Sequence, residues 1–89
     1  MARVVFADVL KRHVDCPEVE ARGETVREAL EAVFQVNPRL RGYVLDDQAA
    51  LRKHMTIFVD GHLVRDRLRL ADPVAANSEI RVLQALSGG

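Results

Sequence analysis

One short segment narrows what this chain can fold into more than any other. TVREALEAVFQVNP, residues 25–38, opens with Thr25 and places Glu28 three residues later, the pattern of a capping box at a helix start. Val26, Ala29, Leu30, Val33 and Phe34 then recur on one helical face, with Arg27, Glu28 and Glu31 on the other. Arg27 and Glu31 are four residues apart, close enough to pair weakly. Asn37-Pro38 ends the run, because proline disfavours a helical residue before it. The spacing predicts one amphipathic helix, and an apolar stripe of this kind must be covered by something else.

The flanking segments read as strands. RVVFADVL (3–10) is rich in Val and Phe, which suits a first strand. Val14, Cys16, Val19 and Ala21 suggest a second, with Pro17 confining it to an edge or a bulge. Lys11-Arg12-His13 would connect the two. MTIFVDGHLV (55–64) reads as a strand, an Asp60-Gly61 turn and a short return. Asp-Gly suits a type I′ hairpin, whose two central residues both take positive φ. EIRVLQAL (79–86) is a last strand, with Ile80 and Val82 on one face and Arg81, Leu83 and Ala85 on the other. Between these, residues 38–54 show no clean period. Leu40, Tyr43, Val44, Leu45 and Leu51 are expected to pin a long connection to the core, and Leu70 and Val74 a looser crossover. The order is ββ–α–ββ–β, an α+β fold with a mixed sheet of four to five strands and the helix across one face. The last strand is expected in the middle of the sheet.

Composition excludes several functions. Eighty-nine residues make one domain. Hydrophobic residues are 48% of the chain but aromatics only 4%, so the core must be aliphatic. Thirteen basic side chains balance thirteen acidic ones, which argues against a nucleic-acid binder. With one cysteine there is no internal disulfide, as in a reducing compartment. No segment reads as a signal peptide or a membrane span, so the expected location is the cytoplasm. There is no phosphate-binding glycine loop, so any ATP chemistry falls to a partner.

Other chemistry is sparse. His13 and Cys16 are three apart, but a zinc site needs paired clusters of ligands and only one pair exists. No metal or bound cofactor is expected. Cys16 lacks a recognised nucleophile signature and reads as a small packed hydrophobe. Arg65, Arg67 and Arg69 alternate with Asp66, Leu68 and Leu70, a pattern better suited to a solvated face than to a recognition stripe.

The remaining feature is the end, Ala85-Leu86-Ser87-Gly88-Gly89. Glycine has no side chain to clash and flexes freely, so Gly88-Gly89 suits passage into another protein's active site. From the residues alone, an idle end is an equal reading.

The second half resembles the ubiquitin-like sulfur-carrier family. That family includes the small subunit of molybdopterin synthase, the thiamine sulfur carrier and carriers for cysteine synthesis. Leu51, Ile57, Phe58, Val59, Val64 and Arg65 fall on its strand and hairpin pattern. Glu79, Ile80, Val82 and Leu83 fall on its last strand, and Ala85, Leu86, Gly88 and Gly89 on its tail. Asp60 stands for a frequent Asn, Asn77-Ser78 for a frequent Gly-Asp, and Gln84 for a frequent Pro. The Val64-Arg65 pair and the Ser-Gly-Gly ending lean toward the cysteine-type carriers.

The resemblance implies a β-grasp domain over residues 1–85 and a flexible tail over 86–89. It implies a protein co-substrate rather than an enzyme, or the small subunit of a synthase. An ATP-dependent adenylating enzyme would activate the Gly89 carboxylate, with Gly88 giving access. A sulfur donor would then leave a thiocarboxylate, and a sulfur-accepting synthase would use it in cofactor, cysteine or other thio-metabolite biosynthesis. Phe6, Phe58, Leu83 and Leu86 are candidates for an apolar docking surface, framed by Arg65 and Arg81. A ubiquitin-like modifier joined to lysines through Gly89, or a plain interaction module, would share the same fold.

Overall fold

The computed structural model describes residues 1–6 and 18–84. Within them the order is β1 (Ala2–Phe6), β2 (Glu18–Ala21), α1 (Val26–Val36), α2 (Pro38–Val44), β3 (Met55–Val59), β4 (His62–Leu63) and β5 (Glu79–Gln84). The sheet order is β2-β1-β5-β3-β4. β5 runs parallel to β1 and antiparallel to β3, and the outer pairs are antiparallel. A five-stranded mixed sheet with its last strand in the centre is the expected architecture.

α1 forms as the pattern requires. Thr25 caps it by accepting the Glu28 N–H at 3.2 Å. The Glu28 carboxylate reaches back to the N–H of Glu24, one residue earlier than in a reciprocal capping box. Val26, Ala29, Leu30, Val33 and Phe34 are all buried. They pack over Ala2, Val4 and Phe6 of β1, Met55 and Ile57 of β3, and Ile80 and Val82 of β5. Burying each large aliphatic side chain of this kind contributes about 1.5–3 kcal/mol. One sheet face is thereby covered, and among the described residues no helix lies on the other.

Residues 38–54 are not a plain connection. Pro38 ends α1 and also stands at the first turn of α2, where its missing N–H costs nothing. Leu40 and Val44, one turn apart, carry α2 into the core, and Leu45 and Leu51 are buried beside them. Tyr43 does not join them and is 40% exposed. The Asp60-Gly61 turn has φ of 50° and 84°, as a type I′ hairpin requires. Leu70 is buried and Val74 packs partly against the core, as expected of the crossover. His13, Cys16 and Pro17, like Leu86 and Gly88-Gly89, lie outside the described residues.

The arginine alternation at 65–69 is a solvated face at two of its three positions, and Arg67 is the exception. The Arg67 guanidinium donates to the carbonyls of Arg52 and Met55, both at 2.8 Å. Arg65 and Arg69 are exposed.

Candidate functional site: the open sheet face

The face opposite the helices is built by strand alternation. On β1, Ala2, Val4 and Phe6 point to the core, which leaves Arg3 and Val5 on the other side. On β5, Ile80 and Val82 are buried while Glu79, Arg81 and Leu83 face outward. On β3, Met55 and Ile57 are buried, and Thr56 and Phe58 alternate with them. Register then joins these positions into rows. Val5 and Phe58 both lie opposite Arg81, and Leu63 of β4 lies opposite Phe58. Thr56 lies opposite Leu83 in the next row.

Phe58, Leu83 and Arg81 therefore share one face. Phe58 and Leu83 are half-buried, and Leu63 beside them is 59% exposed. Val5 and Leu63 extend the apolar patch beyond the residues expected from the sequence. A signal for both exists, since Val5 alternates with Val4 and Phe6, and Leu63 follows directly from the hairpin register.

Two expected members lie elsewhere. Phe6 is 2% exposed and belongs to the core. It pairs with Val82 on the covered face, so its ring packs under the helices and is closed to a partner. Arg65 sits past β4, where its N–H donates to Asp72 and its side chain lines a shallow cavity of about 540 Å³ at the sheet edge. It borders the apolar patch on the Leu63 side, through that cavity.

Charge frames the other end of the face. Arg3 pairs with Glu18 at 3.3 Å and with Glu79 at 2.8 Å, and Arg81 pairs with Glu79 at 2.9 Å. Arg81 first and Arg3 second hold the Glu79 carboxyl below its usual range. These pairs are half-exposed, so they orient side chains more than they stabilise the fold. The carboxylates around the edge cavity are occupied with backbone. Asp72 accepts the N–H groups of Arg65 and Asp66, and Asp66 accepts those of Leu68 and Arg69. Among the described residues, no three His, Cys, Asp or Glu side chains group as metal ligands. No helix of the described residues is long and apolar enough to cross a membrane.

A central fifth strand, helices on one face and a half-apolar, half-ionic open face define a β-grasp domain of the ubiquitin-like class. Solved structures bear out the fold. A chain of the BexX/CysO complex of Amycolatopsis orientalis matches with a TM-score of 0.85 at 23% identity, covering 100% of both chains. CysO of Mycobacterium tuberculosis matches at 0.83 and 20% identity, covering 97% of this chain and 100% of that one. SAMP1 from Haloferax volcanii matches at 0.79 and 24% identity, over 99% and 98%. No curated protein matches the chain in sequence. The model of the ThiS family matches residues 5–89. The chain belongs to the ThiS family, a family of ubiquitin-like sulfur carriers.

Proposed function

We propose that this protein is a sulfur carrier that works through its Gly89 carboxylate. The observation that carries the reading is the ThiS-family match, which runs through Gly88-Gly89. A terminal carboxylate, with an ordinary pKa of about 3.5, is ionised at neutral pH and a poor electrophile. It becomes reactive when one of its oxygens attacks the α-phosphorus of ATP and expels pyrophosphate. A sulfur nucleophile then adds to the acyl carbon, AMP leaves with the bonding pair, and a thiocarboxylate remains on Gly89. A second enzyme, the sulfur-accepting synthase, takes the sulfur.

This chain supplies the handle and not the catalysis. It needs no resident cofactor, and ATP is bound by the adenylating partner. Phe58, Leu83 and Arg81, extended by Val5 and Leu63, form the docking face on this reading. Leu86 continues it along the tail, and Arg65 borders it. The setting is the cytoplasm, with the carried sulfur destined for cysteine, a cofactor or another thio-metabolite. Residues 1–85 are the domain and 86–89 the tail.

The test is the intact mass of the protein from its native host under non-reducing handling. A fraction heavier by exchange of one oxygen for one sulfur is expected, and it disappears when Gly89 is deleted. Branched Gly-Gly remnants on lysines of other proteins, with no sulfur on Gly89, would point to a protein modifier instead. An unmodified mass after incubation with ATP, sulfide and host extract would overturn the carrier reading.

A further inference from the structure

β3 begins where β5 ends. Met55 lies opposite Gln84, the last residue of β5, so the turn Arg52-Lys53-His54 sits beside the C-terminal end of that strand. That turn is held firmly. The Met55 N–H donates to the Arg52 carbonyl at 3.0 Å, and the Arg52 N–H donates to Val44 at 3.0 Å. Arg52 Nε donates to the Gly42 carbonyl, and the Arg67 guanidinium bridges the carbonyls of Arg52 and Met55. Lys53 and His54 project from this fixed turn and are exposed. Neither forms an ion pair or hydrogen bond among the described residues. Lys53 is the one lysine among the described residues.

The described strand segments beside the turn hold no acid. Met55–Val59 and Leu83-Gln84 carry no carboxylate. Arg67 is bound to carbonyls, which leave its charge unneutralised. Arg52 shares a shallow hollow with Asp46 and Asp47, which offset it. The end of β5 is therefore bordered on the β3 side by the Lys53 ammonium, which forms no ion pair among the described residues.

Tail length makes this border a contact. Five residues, 85–89, separate Gln84 from the reacting carboxylate. Fully extended they span at most about 18 Å. An enzyme that encloses Gly89 in its active site must bring its own surface to the rim of the domain. Phe58, Leu83 and Arg81 meet it on one side and the Lys53-His54 turn on another.

We propose that the Lys53-His54 turn is a second docking element for the adenylating enzyme, and that it meets carboxylates at the mouth of the channel that takes the tail. The proposal rests on the carrier reading above. Lys53 supplies a compact, strongly hydrated charge on a flexible stem, suited to steering an encounter and fixing its register.

The experiment follows the initial rate of thiocarboxylate formation on the full-length protein in native-host extract supplied with ATP and sulfide, read by intact mass. Lys53→Glu is expected to slow it about fivefold or more, an effect that shrinks as salt is raised. Lys53→Arg stays close to the parent. Arg22→Glu, which removes an exposed charge just beyond β2, also leaves the rate unchanged. An unaltered thermal unfolding midpoint for Lys53→Glu separates docking from folding. Equal rates for Lys53→Glu and the parent, or an equal loss in Arg22→Glu, overturn the docking element and leave the carrier reading standing. Absence of sulfur on the parent protein itself overturns the carrier reading and this inference with it.

Discussion

The Ser78 hydroxyl donates to the Asp60 carboxylate at 2.8 Å, joining the β3–β4 turn to the root of β5. The same hydroxyl accepts the Ala75 N–H, and the second Asp60 oxygen accepts the Glu79 N–H. Ser78 is 3% exposed, while the Asp60 carboxylate it meets lies at the surface. Ser78→Ala would remove the acceptor of the Ala75 N–H and the link between Asp60 and the root of β5. We expect a loss of about 1–2 kcal/mol, read as a lower urea midpoint with an unchanged slope.

Acid should weaken the fold in a defined window. The Glu79 N–H, and then the Ser78 hydroxyl, hold the Asp60 carboxyl below its ordinary value of 3.8. The Arg69 N–H leads the same effect on Asp66, and Arg81 on Glu79. Folded values lie below unfolded ones, so the stabilisation is complete above about pH 4–5 and is lost as pH falls through the lowered values. Denaturation midpoints are expected to be flat from about pH 7 to 5 and to drop below about pH 4. Asp60→Asn should start lower at neutral pH and show a shallower acid slope.

Arg27 joins α1 to the crossover. Its guanidinium donates to the carbonyls of Ala49, Leu68 and Arg69 and pairs with Glu31. Three carbonyls in different directions need the planar fork, which lysine lacks. Arg27→Lys is expected to lose most of what Arg27→Met loses, about 2–3 kcal/mol, measured by chemical denaturation.

Gly23 lies against the first turn of α1. A β-carbon there would come within 2.6 Å of the Ala29 nitrogen and 2.9 Å of the Glu28 β-carbon. Both belong to a helix anchored in the core, so the chain before it must shift. Gly23→Ala is expected to cost about 1–3 kcal/mol, visible as a drop in the thermal midpoint. Gly61→Ala acts differently, straining only the positive φ of an open turn, and should cost less.

The two phenylalanines on β1 and β3 should behave oppositely. Phe6→Ala leaves a cavity under α1, with a loss of about 3–5 kcal/mol, enough to unfold much of the population. Phe58→Ser should remain folded by circular dichroism while sulfur loading of Gly89 falls. Equal loading in Phe58→Ser and the parent would remove Phe58 from the docking face.

The strands and α1 are legible in the sequence because each carries its own period. The centre of the sheet is legible because the last strand follows too long a crossover to form a hairpin. α2 is hidden by Pro38, which marks a helix end and a helix start with the same residue. Tyr43 reads as a core residue only while α2 is taken for irregular chain, and on that helix it lies at the exposed margin of the buried Leu40-Val44 face. Phe6 and Phe58 are alike in sequence, and only the register that sets Phe6 beside Val82 and Phe58 beside Arg81 separates core from surface. The roles of Arg27 and Arg67 depend on carbonyls twenty or more residues away in one case and twelve or more in the other. No local pattern foretells them.

β5 is hydrogen-bonded along both edges, from Glu79 beside Arg3 to Val82 beside Phe6 on one side, and from Ile80 beside Val59 to Gln84 beside Met55 on the other. Ladder bonds lie across the strand direction. A tug on anything attached beyond Gln84 runs along the strand, so it loads both ladders in shear and all rungs together. An edge strand would peel away rung by rung. A pull at Gln84 is thus resisted by the whole length of β5, as a rope holds when its anchor is spliced into the middle of the net.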